Sequence, residues 1–453
     1  MPDGLPGPGL RGLPVGGSVR ARTFLAVNLG NALEWYDWAI FAIFAVYFAD
    51  DFFDAGSSVS NLLSTLAVFA AGFVMRPLGG VVFGRIADRR GRGFVLVLTM
   101  SLVAACSILL AISPTYAQVG LLASGWLFLS RCVQGFAHGG ELGGSYTYIA
   151  EVARPHNRGL WGSTIVMSTV AGTVLATLVG ALLRAGLPQE QMASWGWRIP
   201  FVIGGLLGLL ALWMRRNLRE PEVFAAQPPD HTGPSLWEQR GSLLRVVAIV
   251  AGTTLFNYVW SVSAPAYAIS FHGVDDAAAL WVGVVANVVF MAALPAAAIV
   301  SERFGRRFNL VVWGVGVAVL AFPLSALLGP SPASLLLAMC LALVLQSLGA
   351  SIQVAWFAEL FTTRSRATGV GLAVSVSAAL FGGTAPYLNA WLTARGTPGY
   401  FTAYTIVLAL VCVAAAALTP ETRGTDLGTD SDERRVRWNL SDERAARRKG
   451  IGA

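Results

Sequence analysis

Five polar side chains follow one face of a helix that the sequence predicts within an apolar stretch. Arg131, Gln134, His138, Glu141 and Ser145 are spaced three, four, three and four residues apart, which brings all five to one side of an α-helix. A charged side chain at membrane depth costs about 2.5–3.5 kcal/mol or more on insertion scales. We therefore expect this face to border a polar cavity. A purely structural contact between Arg131 and a neighbouring helix is the alternative.

Two carboxyl groups in another apolar stretch could partner this arginine. Glu34 and Asp37 lie three residues apart in GNALEWYDW (30–38), and a helix starting near residue 24 places Glu34 about 15 Å deep. Burial and a nearby guanidinium act in opposite directions on the proton affinity of a carboxyl group. We predict that Glu34 or Asp37 pairs with Arg131 and exchanges a proton, with a permanent ion pair as the alternative. His138, a residue type that titrates near neutral pH, and Glu141 are the next candidates.

These residues sit in a chain whose composition excludes a water-soluble protein. Of its 453 residues, 55% are hydrophobic and 13% are charged, against about 25% charged in soluble domains. Four cysteines lie in apolar stretches without metal-ligand spacing, and no nucleophile–base set or phosphate-binding loop is visible. The sequence therefore predicts neither an enzyme nor a metal or cofactor site. Twelve stretches are long enough to cross a bilayer: 24–48, 61–83, 94–112, 119–148, 160–183, 199–214, 244–271, 278–300, 309–328, 333–357, 369–392 and 400–418.

The distribution of arginine predicts the orientation of these spans. Arg184, Arg198 and Arg395 fall on one side and Arg76 and Arg131 inside spans, while the other Lys and Arg residues share the side of both termini. Positive charge favours the cytoplasm, so both termini are expected there, and the net charge of +7 indicates topology rather than a nucleic-acid partner. The predicted segments are a cytoplasmic N-terminus (1–23), a six-helix bundle (24–214), a central cytoplasmic loop (215–243), a second six-helix bundle (244–418) and a cytoplasmic tail (419–453).

Short motifs recur in the same order in the two halves. GRIADRRGR (84–92) follows the second span and SERFGRR (301–307) the eighth. AEVARPHNRG (150–159) follows the fourth span and AELFTTRSRATG (358–369) the tenth. Two similar six-span halves indicate a repeat about an axis along the membrane normal.

The motifs together identify a family by resemblance. They are GNALEWYDW, MRPLGG (75–80), GRIADRRGR, RCVQGFAHGGELGG (131–144), GWRIPF (196–201), AELFTTRSRATG, FGGTAPY (381–387) and PET (420–422). The chain resembles the metabolite:proton symporter family of the major facilitator superfamily, the group of the proline/betaine, α-ketoglutarate, citrate and shikimate carriers. This implies an all-α membrane protein with twelve transmembrane helices in two pseudo-symmetric six-helix bundles. Leu142 and Asn257 depart from the family pattern near the cavity, so the resemblance does not carry over a substrate.

The repeated loops predict gating contacts at the cytoplasmic ends of the spans. Asp88 and the arginines of its loop can form a contact that breaks when the halves separate, and Gly84 and Gly91 would permit tight turns. A simple positive-inside anchor is the alternative. By the same logic we expect Glu151 to pair with Arg158, and Glu359 with Arg364 and Arg366. The predicted gating residues are Gly84, Asp88, Arg89, Gly91, Arg92, Glu151, Arg158, Glu302, Arg303, Arg306, Glu359, Arg364 and Arg366.

The second half offers a neutral counterpart of the charged stripe. Aligning the repeats places Gln346 opposite His138 and Gln353 opposite Ser145, so proton coupling is expected in the first half alone. A wall of amides and aromatic rings suits a polar metabolite. The predicted substrate-binding residues are Arg76, Gln134, Tyr258, Trp260, Gln346, Gln353 and Tyr387.

The predicted function is proton-coupled uptake of a small polar metabolite, such as an organic acid or a zwitterion, by alternating access. The expected partners are that substrate, protons and the lipid bilayer of a bacterial inner membrane, with the chain acting as a monomer. A proton-coupled exporter, or a non-transporting sensor built on a carrier fold, remains the alternative.

Overall fold

The computed structural model describes residues 17–90, 92–140, 142–215, 238–361, 366–425 and 427, and all regular structure in these ranges is helical. We number the twelve membrane spans in chain order. Spans 1–6 are Gly17–Phe52, Ser58–Arg90, Arg92–Ala111, Leu121–His138 with Leu142–Val152, Arg158–Gly186, and Arg198–Arg215. Spans 7–12 are Arg240–Asn257 with Ala264–His272, Asp276–Phe304, Arg306–Ala326, Pro332–Ser351 with Gln353–Leu360, Arg366–Ser377 with Ala385–Ala394, and Pro398–Leu418.

Length and hydropathy single out most of these helices as spans. Within the described ranges nine helical segments are long and apolar enough to cross a membrane, and the bent pair Gln189–Gly196 and Arg198–Leu210 makes a tenth. Val97–Ala111 is shorter, and span 4 carries the polar stripe that lowers its hydropathy. The predicted twelve-helix fold is confirmed. The proposed domain boundaries remain a proposal, because most of the central loop and of both terminal segments lies outside the described residues.

Spans 7 and 11 are interrupted at matching places. A π-helical turn covers Tyr258–Ser263 in span 7 and Ala378–Gly382 in span 11. Each turn is followed by a proline, Pro265 or Pro386, which cannot donate a backbone hydrogen bond to the preceding turn. The breaks widen both helices beside a small cleft lined by residues of spans 1, 2, 7 and 11 that include Leu66, Tyr267 and Asn389.

Spans 2 and 4 touch backbone to backbone. A Cβ atom on Gly135 would lie 1.8 Å from the carbonyl oxygen of Gly72, and one on Gly139 would lie 1.9 Å from that of Arg76. Only glycine permits this approach, because any side chain would overlap the facing backbone. The contact fixes Arg76 of span 2 beside the polar stripe of span 4.

The two membrane sides differ in charge. We call the side of the 2–3, 4–5, 8–9 and 10–11 connections the arginine-rich side. The other is the cleft side, because the cleft lies towards that end of spans 2, 7 and 11.

The expectation that Gly84 lies in a tight turn is wrong. Span 2 continues as a helix to Arg90, so Gly84 lies in a helix rather than in a tight turn. One glycine costs a helix only about 1 kcal/mol, so a long helix can continue through it.

Candidate functional site

Asp37 and Arg131 are joined by a buried hydrogen-bond network. Arg131 Nη1 lies 3.8 Å from Asp37 Oδ2 and donates to Gln134 Oε1 over 2.7 Å. Gln134 Nε2 in turn donates to Asp37 Oδ2 over 2.9 Å, while Ser107 Oγ donates to Asp37 Oδ1. The carboxylate is thus held by two neutral donors and by an arginine slightly beyond direct hydrogen-bond distance.

Glu34 takes a different partner from Asp37. Its Oε1 lies 2.8 Å from His138 Nδ1, and both side chains are almost fully buried. The His138 ring packs against Trp38 at 5.2 Å between ring centres. Spans 1 and 4 therefore present two carboxyl–base pairs, and the partner of Arg131 is Asp37.

Arg76 lies against aromatic rings rather than against a carboxylate. Its Cζ is 4.1 Å from the centre of the Trp38 ring and 4.2 Å from that of Phe73, while Arg131 Cζ lies 4.2 Å from Trp38. Arg76 is 1% exposed, and its Nε and Nη2 atoms have no hydrogen-bond partner among the described residues. A buried guanidinium with two unused donors can bind an anion, since ring contacts alone leave those donors unsatisfied.

Tyr258 brings the second half to this centre. Its ring lies 5.2 Å from Phe73 and 6.0 Å from Trp35, and its buried hydroxyl has no hydrogen-bond partner in the part of the chain that the structure describes. The Tyr258 hydroxyl and the Arg76 guanidinium therefore offer unused polar atoms beside the same Phe73 ring.

The other predicted substrate residues of the second half differ in their surroundings. Gln346 Oε1 accepts from Trp313 Nε1 over 2.9 Å, and its Nε2 donates to the Thr253 carbonyl over 3.0 Å, so both ends of the amide are used inside this half. Gln353 Nε2 donates to Thr253 Oγ1 over 3.3 Å. Trp260 is buried beside Phe256. Tyr387 is partly buried and packs against the hydrophobic cluster that includes much of span 1.

Ion pairs on the arginine-rich side cross between the halves. Arg158 Nη1 lies 2.9 Å from Glu359 Oε1, and Arg366 Nη1 lies 2.6 Å from Glu151 Oε1. The expected pairs, Glu151 with Arg158 and Glu359 with Arg366, were therefore wrong in their partners. Sequence proximity suggested contacts within each loop, whereas the two loops pack on each other and exchange partners.

Further bonds tighten this contact. Glu302 Oε1 accepts from the Gly159 backbone amide over 2.5 Å and from Arg306 Nη2 over 3.0 Å. Thr422 Oγ1, in the segment after span 12, donates to Glu359 Oε2 over 2.6 Å. Arg303 is exposed, and its carbonyl accepts from Arg423. The halves are thus held together on the arginine-rich side.

Some predicted site residues have no described surroundings. Gly91, Glu141 and Arg364 lie outside the described residues. Asp88, Arg89 and Arg92 lie at the adjoining ends of spans 2 and 3, and their side chains are not described.

Ser107 and the central position of Trp38 were missed by reasoning from the sequence. Ser107 is a small polar residue inside the third apolar stretch, and such residues usually bond their own helix, so its type gave little signal. Trp38 was noted only as a neighbour of Asp37, although the aromatic run around two carboxyl groups was a usable sign.

The fold and this charged centre define a polytopic carrier built from two six-helix halves. The sugar (and other) transporter family model matches residues 23–227 and 222–429. The chain is 35% identical over 397 residues to the α-ketoglutarate permease of Escherichia coli strain K12, covering 86% of this chain and 92% of the permease. It is 30% identical over 412 residues to a citrate-proton symporter of Klebsiella pneumoniae, covering 89% and 93%.

A solved structure shares the fold. The xylose transporter XylE of Escherichia coli, in a partially occluded inward open conformation, matches with a TM-score of 0.71 at 19% identity, covering 91% of this chain and 100% of that one. The chain belongs to the sugar (and other) transporter family, within the major facilitator superfamily, and its predicted place among the metabolite:proton symporters is confirmed. It is a multi-pass membrane transporter, and its relatives are transporters rather than enzymes.

Proposed function

We propose that this transporter takes up a small carboxylate-bearing metabolite together with protons. The observation that carries the proposal is Arg76, a buried guanidinium with two unused donors beside Trp38, Phe73 and the unbonded hydroxyl of Tyr258. A carboxylate has the charge and the two acceptor oxygens that suit a guanidinium. Relatives described as an α-ketoglutarate permease and a citrate-proton symporter support an organic acid as the substrate class.

Asp37 is the proposed proton carrier. When the cavity is hydrated from one side, Asp37 takes a proton and its attraction for Arg131 weakens. Gln134, which bonds both residues, can then keep their geometry while Arg131 turns towards the substrate anion. Closure moves a neutralised site through the dry barrier, which costs less than moving a bare carboxylate. Opening on the other side rehydrates Asp37, and the proton leaves.

The arginine-rich side is proposed to face the cytoplasm of a bacterial inner membrane, because cytoplasmic loops carry an excess of Lys and Arg. Both termini then lie in the cytoplasm, and the cleft lies on the periplasmic side. The polar centre is built from one chain, which supports a functional monomer.

The test is uptake into proteoliposomes with an imposed pH gradient. Labelled α-ketoglutarate, citrate, proline and betaine are compared with and without the gradient, and with a protonophore. We expect gradient-driven accumulation of at least one of the two organic acids, inhibited by the protonophore. Accumulation of proline or betaine alone would contradict the organic acid as the substrate class, because these two compounds are zwitterions that share only the carboxylate group with the organic acids. Movement of the substrate only in the direction opposite to the protons would identify an exporter. No flux of any compound through well-inserted protein would favour a sensor.

A further inference from the structure

One ion pair joins the halves on the cleft side. Span 5 ends at Gly186 and span 8 begins at Asp276. Arg184 Nε donates to Asp276 Oδ2 over 2.5 Å, and Tyr47 Oη of span 1 donates to the same oxygen over 3.3 Å. Arg184 Nη1 also donates to the Leu187 carbonyl over 2.9 Å. The Arg184 and Asp276 side chains are only 18% and 10% exposed, so water screens the pair less than it screens a surface pair.

The position of this pair is unusual among the ion pairs of the described residues. On the same side Arg198 lies 3.7 Å from Asp51, but both belong to the first half. The other pairs that join the halves, Arg158–Glu359 and Arg366–Glu151, lie on the arginine-rich side. Spans 5 and 8 are therefore tied near both ends, by Gly159 with Glu302 at one and Arg184 with Asp276 at the other.

We propose that Arg184, Asp276 and Tyr47 form a latch that closes the cleft side of the transporter and opens when substrate enters or leaves there. This rests on the proposed alternating access. A carrier that opens on each side in turn cannot keep both sets of cross-half contacts in every state. Each set stabilises the states closed on its own side, so the balance between the sets shifts the populations.

Asp276 is suited to a contact that opens and closes. It occupies the first turn of span 8, where the helix N-terminus favours a negative charge. Its Oδ1 already accepts from the Ala277 backbone amide over 3.0 Å, and Asp275 caps the same helix through Ala278. When the halves separate, Asp276 keeps these helix contacts and gains water, while Arg184 keeps the Leu187 carbonyl. Neither charge is left buried and unpaired.

The experiment measures opening directly and requires no substrate. A Leu66→Cys reporter in the cleft, 5% exposed, is labelled with a soluble maleimide in full-length protein in nanodiscs. The same proteins without the reporter give the background from Cys106, Cys132, Cys340 and Cys412. Arg184→Gln and Asp276→Asn should each raise the labelling rate on the order of fivefold, as expected for losing one ion pair between the halves. Tyr47→Phe, which removes one hydrogen bond, should raise it less.

Two controls separate a latch from general loosening. Arg198→Gln removes the ion pair within the first half on the same side and should leave the labelling rate unchanged. A second reporter, Val354→Cys, is fully buried near the arginine-rich side, and its labelling should stay level or fall when the latch is broken. Restoration by the exchange Arg184→Asp with Asp276→Arg would add support.

Two results would overturn the latch. One is unchanged Leu66→Cys labelling in Arg184→Gln or in Asp276→Asn, and the other is an equal rise at both reporters. Failed uptake in proteoliposomes with a positive labelling result would instead refute the transport proposal alone.

Discussion

At the scale of residues, the charged centre keeps its two carboxyl groups and Arg76 in separate surroundings. Asp37 and Arg131 share a network through Gln134 and Ser107, while Glu34 pairs with His138 and Arg76 rests on aromatic rings. A carboxylate at this depth needs a polar partner: Asp37 has the Arg131 guanidinium and Glu34 has the His138 imidazole. Arg76 forms no ion pair with a carboxylate among the described residues, although Glu34 lies near enough to act on its charge, and its unused donors make it the proposed anion site.

Asp37→Asn should abolish accumulation driven by a pH gradient while sparing exchange of labelled for unlabelled substrate. The amide keeps the hydrogen bonds of Asp37 but cannot carry a proton. Arg131→Gln should abolish both activities, because Asp37 loses its cation and removing one member of a buried pair costs about 3–5 kcal/mol. Counterflow and gradient-driven uptake in the same proteoliposomes measure the two activities.

Glu34→Gln is the companion variant for Asp37→Asn. If Asp37 carries the proton alone, Glu34→Gln keeps gradient-driven uptake. Full accumulation in both variants would move the coupling site to Glu141 and His138, the next pair to test.

Arg76→Gln should weaken binding of an organic acid by at least about tenfold, as expected when a charge-assisted hydrogen bond is lost. Arg76→Lys should recover only part of this loss, because an ammonium group keeps the charge but not the planar contact with Trp38 and Phe73. Isothermal titration or ligand-induced thermal stabilisation with α-ketoglutarate and citrate measures the change. Equal binding of an organic acid by wild type and Arg76→Gln would place the anion site elsewhere.

At the scale of elements, close backbone contacts and helix breaks position these side chains. Spans 2 and 4 meet through glycines, which holds Arg76 beside the Arg131 stripe. Spans 7 and 11 are broken at π-helical turns before Pro265 and Pro386, and the first break carries Tyr258 to the charged centre. Such turns are frequent at functional sites because they change which side chains face inward.

Gly135→Ala should destabilise the protein by about 1–3 kcal/mol or more, the usual cost of overpacking. The added carbon would fall 1.8 Å from the Gly72 carbonyl oxygen, so spans 2 and 4 would have to separate. Gly144→Ala in the same span is the matched control, because a Cβ atom there meets nothing within 4 Å. Thermal unfolding in detergent compares the two, and equal melting temperatures would show that the contact can relax.

Gln346→Leu and Gln353→Leu should change substrate affinity without moving the pH dependence of uptake, because the described ion pairs of spans 1 and 4 lie in the first half. Gln346→Leu should also lower the melting temperature more, since it leaves Trp313 Nε1 and the Thr253 carbonyl without their partner. Uptake profiles between pH 5 and 8, the range in which histidine-type groups titrate, test this. A shifted profile in either variant would extend proton coupling to the second half.

At the scale of the whole molecule, we propose that ion pairs between the halves set which side is closed. Glu359 is fully buried and contacts Arg158, Arg306 and Thr422, so it links the first half, the second half and the segment after span 12. In this structure the arginine-rich side is closed by these contacts, and spans 5 and 8 also touch on the cleft side.

Glu359→Gln should shift the population towards states open on the arginine-rich side, on the order of tenfold or more, because the buried Arg158 guanidinium loses its counter-charge and Arg306 keeps only Glu302. The Val354→Cys reporter should then label faster.

Asp88→Asn, the change predicted from the loop motif, should reduce transport strongly while leaving membrane insertion intact. Normal transport by well-inserted Asp88→Asn protein would contradict the proposed gating role of Asp88.

The sequence by itself determined the class of fold, because spans of about 20 apolar residues must form helices in a bilayer. It also identified the intramembrane charges, because Arg131, Asp37 and Glu34 are too costly at that depth without a polar surrounding. It could not choose their partners. Helical spacing determines which residues share one face of a helix, but not which neighbouring helix packs against that face. Only the tertiary packing therefore decided three pairings: Asp37 with Arg131, Glu34 with His138, and Arg158 with Glu359 across the halves. The Arg184–Asp276 contact belongs to the same class, because its two residues lie far apart in the chain and meet only when spans 5 and 8 pack together.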